Sequence, residues 1–88
     1  MQNVTLFEGQ PWVAVADLVD TQRKWVTGSS LSKRASKEGL VGKWASEIGL
    51  EKNGGSRGGK YYPLSETLLA ILASSCRSEA RAFFGLPN

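Results

Sequence analysis

Leu64, Leu68, Leu72, Cys76, Ala80 and Phe84 stand at successive i+4 steps, with Leu69, Ile71 and Phe83 beside them. This spacing keeps an apolar stripe on one side of a helix. It predicts an amphipathic helix from Ser65 to Phe84, either continuous or broken near Ser74-Ser75. Ser65 suits its N-cap, and Gly85 and Pro87 supply a stop signal. The pattern upstream is shorter. Val4 to Phe7 reads as a short strand. Val13, Val15, Leu18 and Val19 suit a short helix from about Ala14 to Asp20, while the alternation at Val13 and Val15 also permits a strand. Thr21 to Gly28 is a polar connector whose Trp25 and Val26 belong to the core, with an exposed stacking role as the other reading of Trp25.

The segment Ser29 to Gly39 has a different character. Ser29 or Ser30 can cap a helix, Gly39 can end it at C′, and Leu31 and Ala35 are spaced to face inward. Ser32, Lys33, Ser36 and Lys37 then fall on the opposite side, with Arg34 beside them. That face is short, polar and cationic, and its single acid, Glu38, stands at the end. Trp44 and Ile48 permit a further helical turn, or Trp44 to Lys52 leads into a hairpin strand. Asn53 to Lys60 follows as a hairpin tip, because four of the ten glycines fall within it. Such a run forms no helix and packs few side chains. Tyr61-Tyr62 is the returning strand, and Pro63 ends it, having no N–H for the ladder.

Charge sharpens this picture. From Arg23 to Lys60 there are nine Lys and Arg against three acids, and the remainder is acidic. A basic centre between acidic flanks points to a polyanion-facing surface. Eighty-eight residues make one small domain with a modest core and little room for a buried cleft. The chain has no His and one Cys, which excludes zinc fingers, His-based catalysis and an internal disulfide. Cys76, on the apolar stripe, reads as an inert core thiol. No apolar run spans a bilayer and no leader pattern opens the chain, so a cytoplasmic setting is expected, with no membrane partner. Gly54 to Lys60 approaches the nucleotide-binding spacing Gly-x-x-x-x-Gly-Lys. However, Tyr61 occupies the place of the magnesium-binding Ser or Thr, and Pro63 separates the loop from the next helix. Asp17 and Asp20 share one short helix without further metal-binding neighbours. No enzyme, cofactor or metal is expected.

The order of elements resembles the N-terminal DNA-binding domain shared by the phage Mu transposase and the phage Mu repressor. The carrying residues are Trp12-Val13 before the first helix, Ser29-Ser30 opening the second and Lys37-Glu38-Gly39 closing it. Gly58-Gly59-Lys60 in the wing, Tyr62 after it, the Leu64 to Leu72 helix and the ending Phe84-Gly85-Leu86 complete the set. The resemblance covers roughly Trp12 to Leu86. One departure stands out. The family has a tryptophan just after the second helix and a shorter wing, whereas here Leu40 holds that place and Trp44 comes later. Either the helix runs longer or the wing carries an insertion.

The resemblance implies an α+β fold, a small winged helix-turn-helix of three helices plus a β-hairpin wing. Residues 12–88 would form it, and residues 1–11 an N-terminal arm or short strand. The implied function is non-enzymatic, sequence-specific binding of double-stranded DNA, in the bacterial host of a Mu-like phage transposase or repressor. Lys33, Arg34 and Lys37 would position on phosphates, with Ser30, Ser32 or Ser36 near bases and Ser29 also at the DNA. The wing would reach the adjacent backbone or minor groove through Arg57 and Lys60, with Lys43, Lys52, Asn53 and Ser56 as further DNA-binding candidates. The alternative is a protein-interaction module, or self-association, through the apolar C-terminal helix.

Overall fold

The structure, a computed structural model, describes residues 1–50 and 59–87. Its sheet grows from the pairing of two segments remote in sequence. Strand β2 (Gln10–Ala14) runs antiparallel to β4 (Lys60–Pro63), with Val13 opposite Tyr62 and Trp12 opposite Pro63. β1 (Thr5–Phe7) adds to the outer side of β2, and β3 (Lys43–Trp44) to the outer side of β4, giving the order β1-β2-β4-β3. The turn between β1 and β2 is Glu8-Gly9, both with positive φ (52° and 78°). Two such residues match the right-handed twist of a hairpin, and glycine takes this conformation without strain.

Among the described residues there are four α-helices, α1 (Val15–Leu18), α2 (Gly28–Lys37), α3 (Glu66–Ile71) and α4 (Arg77–Phe83); α1 packs on β2 and β4, and α3 packs on both α2 and α4. The chain is therefore α+β, with one helix more than the expected three and a four-stranded sheet in place of a lone hairpin. The segment from Ala14 resolves into both readings of its pattern, as β2 runs to Ala14 and α1 occupies only Val15–Leu18. The segment after Lys43 also divides. Lys43–Trp44 is strand and Ala45–Ile48 is a 3-10 turn, with the Glu47 carboxylate accepting the Trp44 N–H at 2.7 Å.

The C-terminal apolar segment is not one helix. Leu72 turns to an extended conformation (φ −70°, ψ 155°), and the Ala73 N–H leaves the helix to donate to the Trp25 carbonyl at 3.0 Å. A 3-10 turn, Ser74–Cys76, leads into α4. The break bends the segment around the core without turning its stripe outward. Leu64, Leu68, Leu72, Ala80 and Phe84 are buried, and Cys76 is half-buried.

Trp25, 1% exposed, is the largest fully buried side chain. Phe83 and Phe84 meet it edge to face at 5.5 and 6.1 Å between centroids. The Arg23 guanidinium lies 4.0 Å from the Phe83 ring centroid and donates to the Asp17 carbonyl. These contacts fasten the connector between α1 and α2 onto α4. The expected N-terminal arm is fastened too. The Gln2 N–H donates to the Phe84 carbonyl at 2.9 Å and the Asn3 side chain to the Phe83 carbonyl at 2.8 Å. Residues from one end of the chain thus satisfy carbonyls that the end of α4 leaves unpaired. The expected division between residues 11 and 12 falls inside β2.

Candidate nucleic-acid interface

α2 is held firmly at both ends. Its N-cap is Thr27, one turn's edge earlier than the expected Ser29 or Ser30, and the Thr27 hydroxyl oxygen accepts the Ser30 N–H at 3.2 Å. Thr27 takes the extended backbone an N-cap needs (φ −86°, ψ 159°), which leaves Gly28, Ser29 and Ser30 as the first helical turn. At the other end Gly39 sits at φ +74°. The Gly39 N–H donates to the Ser36 carbonyl at 3.2 Å and the Leu40 N–H to the Ala35 carbonyl at 2.9 Å. Those two bonds form a Schellman motif, and Leu40 completes it by packing on the core. The helix accordingly stops at Lys37. Between the two readings of the displaced tryptophan, the longer helix is not the one adopted.

Leu31 and Ala35 are each 1% exposed. They point α2 into the core and leave Ser29, Ser32, Lys33, Ser36 and Lys37 exposed. These five follow the i, i+3, i+4, i+7, i+8 spacing of a single helix face. Lys33 and Lys37 form no ion pair within the described residues, where the recorded pairs are Arg23–Asp20 and Arg81–Glu66. Ser30 is only half-exposed and lies toward the side of the helix. Arg34 is exposed, but one of its guanidinium N–H groups donates to the Ile71 carbonyl at 2.9 Å. Arg77 likewise donates to the Ala70 carbonyl at 2.9 Å. Two arginines from different helices therefore satisfy carbonyls that α3 leaves free where it ends. Arg34 couples α2 to α3, a role its sequence position does not disclose.

The residues expected in or next to the wing divide between β3, β4 and a part that is not described. Lys43, half-buried, stands in β3 opposite Tyr61. Lys60 is exposed at the start of β4, and its ammonium lies 5.6 Å from the centroid of the Tyr62 ring. Lys52, Asn53, Ser56 and Arg57 lie outside the described residues, as does most of the expected tip. Gly59 and Lys60 belong to the returning side of the hairpin, where the Ala45 N–H donates to the Gly59 carbonyl at 2.8 Å. Lys60 opens a strand, and α3 begins only at Glu66, so the lysine lacks the helical position that a nucleotide-binding loop requires.

Helix and hairpin meet at a cavity of about 120 Å³ lined by Val15, Gly28, Leu31, Ser32, Lys60 and Tyr62. Ser32 from the α2 face and Lys60 from the hairpin thus open onto the same space. Two contributors went unread in the sequence. Thr27 begins the helix, and its residue type before Gly-Ser-Ser is a recognisable cap signal. Gly42 lies beside Lys60 and Tyr62, a proximity that only folding creates. Among the described residues no cluster of His, Cys, Asp or Glu is arranged to hold a metal ion, and no helix is long and apolar enough to cross a membrane. The apolar stripe of the C-terminal segment, the surface a protein-interaction reading requires, is turned into the core. Comparison with models of known families, with curated proteins and with solved structures yields no match to this chain.

Proposed function

We propose that the chain is a winged-helix domain that binds double-stranded DNA, with α2 as its reading helix and the β3–β4 hairpin as its wing. One observation carries the reading. α2 buries Leu31 and Ala35 and presents Ser29, Ser32, Lys33, Ser36 and Lys37 on one exposed face free of acidic partners. Short hydroxyl side chains let a helix approach the floor of a major groove, while lysines at its margin reach the phosphates. An ordinary solvated helix mixes acids with its lysines, and this one carries none between Gly28 and Lys37. The adjacency of Lys60 to Ser32 adds a second cationic element at the same side. The Mu-like resemblance agrees in assigning DNA contact to these two elements, and it suggests a transposase or repressor as the protein that uses them.

A titration of labelled duplex DNA at several salt concentrations tests the proposal. Neutralising about five phosphates makes log affinity fall against log salt with a slope near −4 to −5. A flat salt response, or no binding at low salt, rules it out.

A further inference from the structure

Resting on the DNA-binding reading, we propose that Gly42 and Tyr62 hold Lys60 as a fixed cation beside α2, so that Lys60 and Ser32 grip one phosphodiester group of the DNA backbone. The strand alternation of β4 places Lys60 and Tyr62 on the same face of the sheet. Tyr62 is buried against the core, so its ring is a rigid surface. The Lys60 side chain lies back along that ring, with its ammonium within cation–π range at 5.6 Å.

Gly42 makes this arrangement possible. A Cβ added at Gly42 would stand 2.5 Å from Lys60 Cε and 3.2 Å from the Tyr62 ring. The lysine stem therefore runs through the space that any other residue at position 42 would fill. Lys60 lines the same cavity of about 120 Å³ as Ser32. Lysine is ordinarily a flexible point charge, and ordering it costs entropy on binding. Contact with the Tyr62 ring would reduce that cost by favouring one placement of the ammonium. Lys60 is then a fixed contact at the foot of the wing, in register with the reading face of α2. A phosphate held at that point fixes how far α2 sits along the groove.

The backbone at Gly42 is not left-handed, and the nearest atom that an added Cβ meets is near the end of a flexible side chain. Gly42→Ala should therefore fold while displacing Lys60. The full chain would be titrated with labelled mixed-sequence duplex DNA, a suitable probe because backbone contacts are independent of sequence. Lys60→Ala is expected to weaken binding about fivefold to tenfold and to reduce the salt slope by about one. Gly42→Ala should produce a similar loss, and the double variant should bind no more weakly than Lys60→Ala alone. In free protein, NMR should show the Lys60 ε-methylene protons shifted upfield by the Tyr62 ring in wild type and unshifted in Gly42→Ala.

Wild-type affinity in Gly42→Ala, or losses that multiply in the double variant, overturns the role of Gly42. Unchanged affinity in Lys60→Ala overturns the phosphate grip, while the wider DNA reading stands if Lys33→Ala and Lys37→Ala still weaken binding. Absence of salt-dependent binding by wild type overturns both. If Gly42→Ala melts before binding can be read, the wild-type spectrum decides together with Lys60→Met, which keeps the stem and removes the charge. An unshifted Lys60 in wild type counts against the proposal. A shifted Lys60, with Lys60→Met as weak as Lys60→Ala, supports it.

Discussion

Lys33 and Arg34 are neighbours in sequence and both exposed, but only Arg34 is tied to another helix. Lys33 stands on the exposed stripe of α2 with no partner among the described residues, and Lys37 stands one turn further along it. Each can reach a phosphate without giving up an internal bond. Lys33→Ala and Lys37→Ala should each weaken DNA binding by about fivefold to tenfold and lower the salt slope by about one, with an unchanged melting temperature. Arg34 instead donates to the Ile71 carbonyl. Hydrogen bonds from a charged donor contribute more than neutral ones, so Arg34→Ala should cost about 1–2 kcal/mol of stability, seen as a lower urea midpoint. A stable Arg34→Ala protein that binds DNA poorly would show that Arg34 acts at a phosphate and not as a tie to α3.

At the scale of elements, α2 depends on its ends because its burial is slight: Leu31 and Ala35 are its only buried residues. The Schellman motif at Gly39 closes the helix and turns the chain toward β3. Gly39→Ala forces a side chain onto φ +74° and should destabilise the domain by about 1 kcal/mol or more, measured by chemical denaturation. Open space around that position means that strain, not a clash, would be responsible. No loss of stability in Gly39→Ala would show that the helix end can relax at no cost. The Glu66–Arg81 ion pair linking α3 to α4 is a weaker device, since the Glu66 side chain is largely exposed and solvent screens the pair.

At the scale of the whole molecule, the described residues form one main hydrophobic core that segments from Val4 to Leu86 enter. Leu68 is fully buried, so Leu68→Ala should cost about 2–5 kcal/mol, as other large-to-small core changes do. Total stabilities are about 5–15 kcal/mol, and a domain this small belongs toward the lower end, so the variant should be largely unfolded by circular dichroism near body temperature. A native melting curve would remove Leu68 from the centre of the core. On the proposed reading, DNA contact and stability are separable at this scale, because the exposed residues of α2 contribute nothing to the core that Leu68 anchors.

Periodicity carried much of the fold. Leu31 and Ala35 announced which side of α2 is buried, and the i+4 steps from Leu64 to Phe84 announced the apolar stripe, because helical geometry links spacing to direction wherever the helix lies. Ser65 was legible as a cap and Gly39 as a stop for the same local reason. A break near Ser74-Ser75 was legible as one of two readings, but its start at Leu72 and its partners were not, since they are a hydrogen bond from Ala73 to the distant Trp25 carbonyl and two arginines that donate to the freed carbonyls. Nor was the pairing of β2 with β4, which joins residues far apart in the chain and leaves no periodic trace at either one. The candidate interface divides in the same way. Its cationic helix face could be read from residue order alone. The coupling of Arg34 to α3 and the seat that Gly42 and Tyr62 make for Lys60 were decided by tertiary structure, because both depend on which remote groups packing brings within reach.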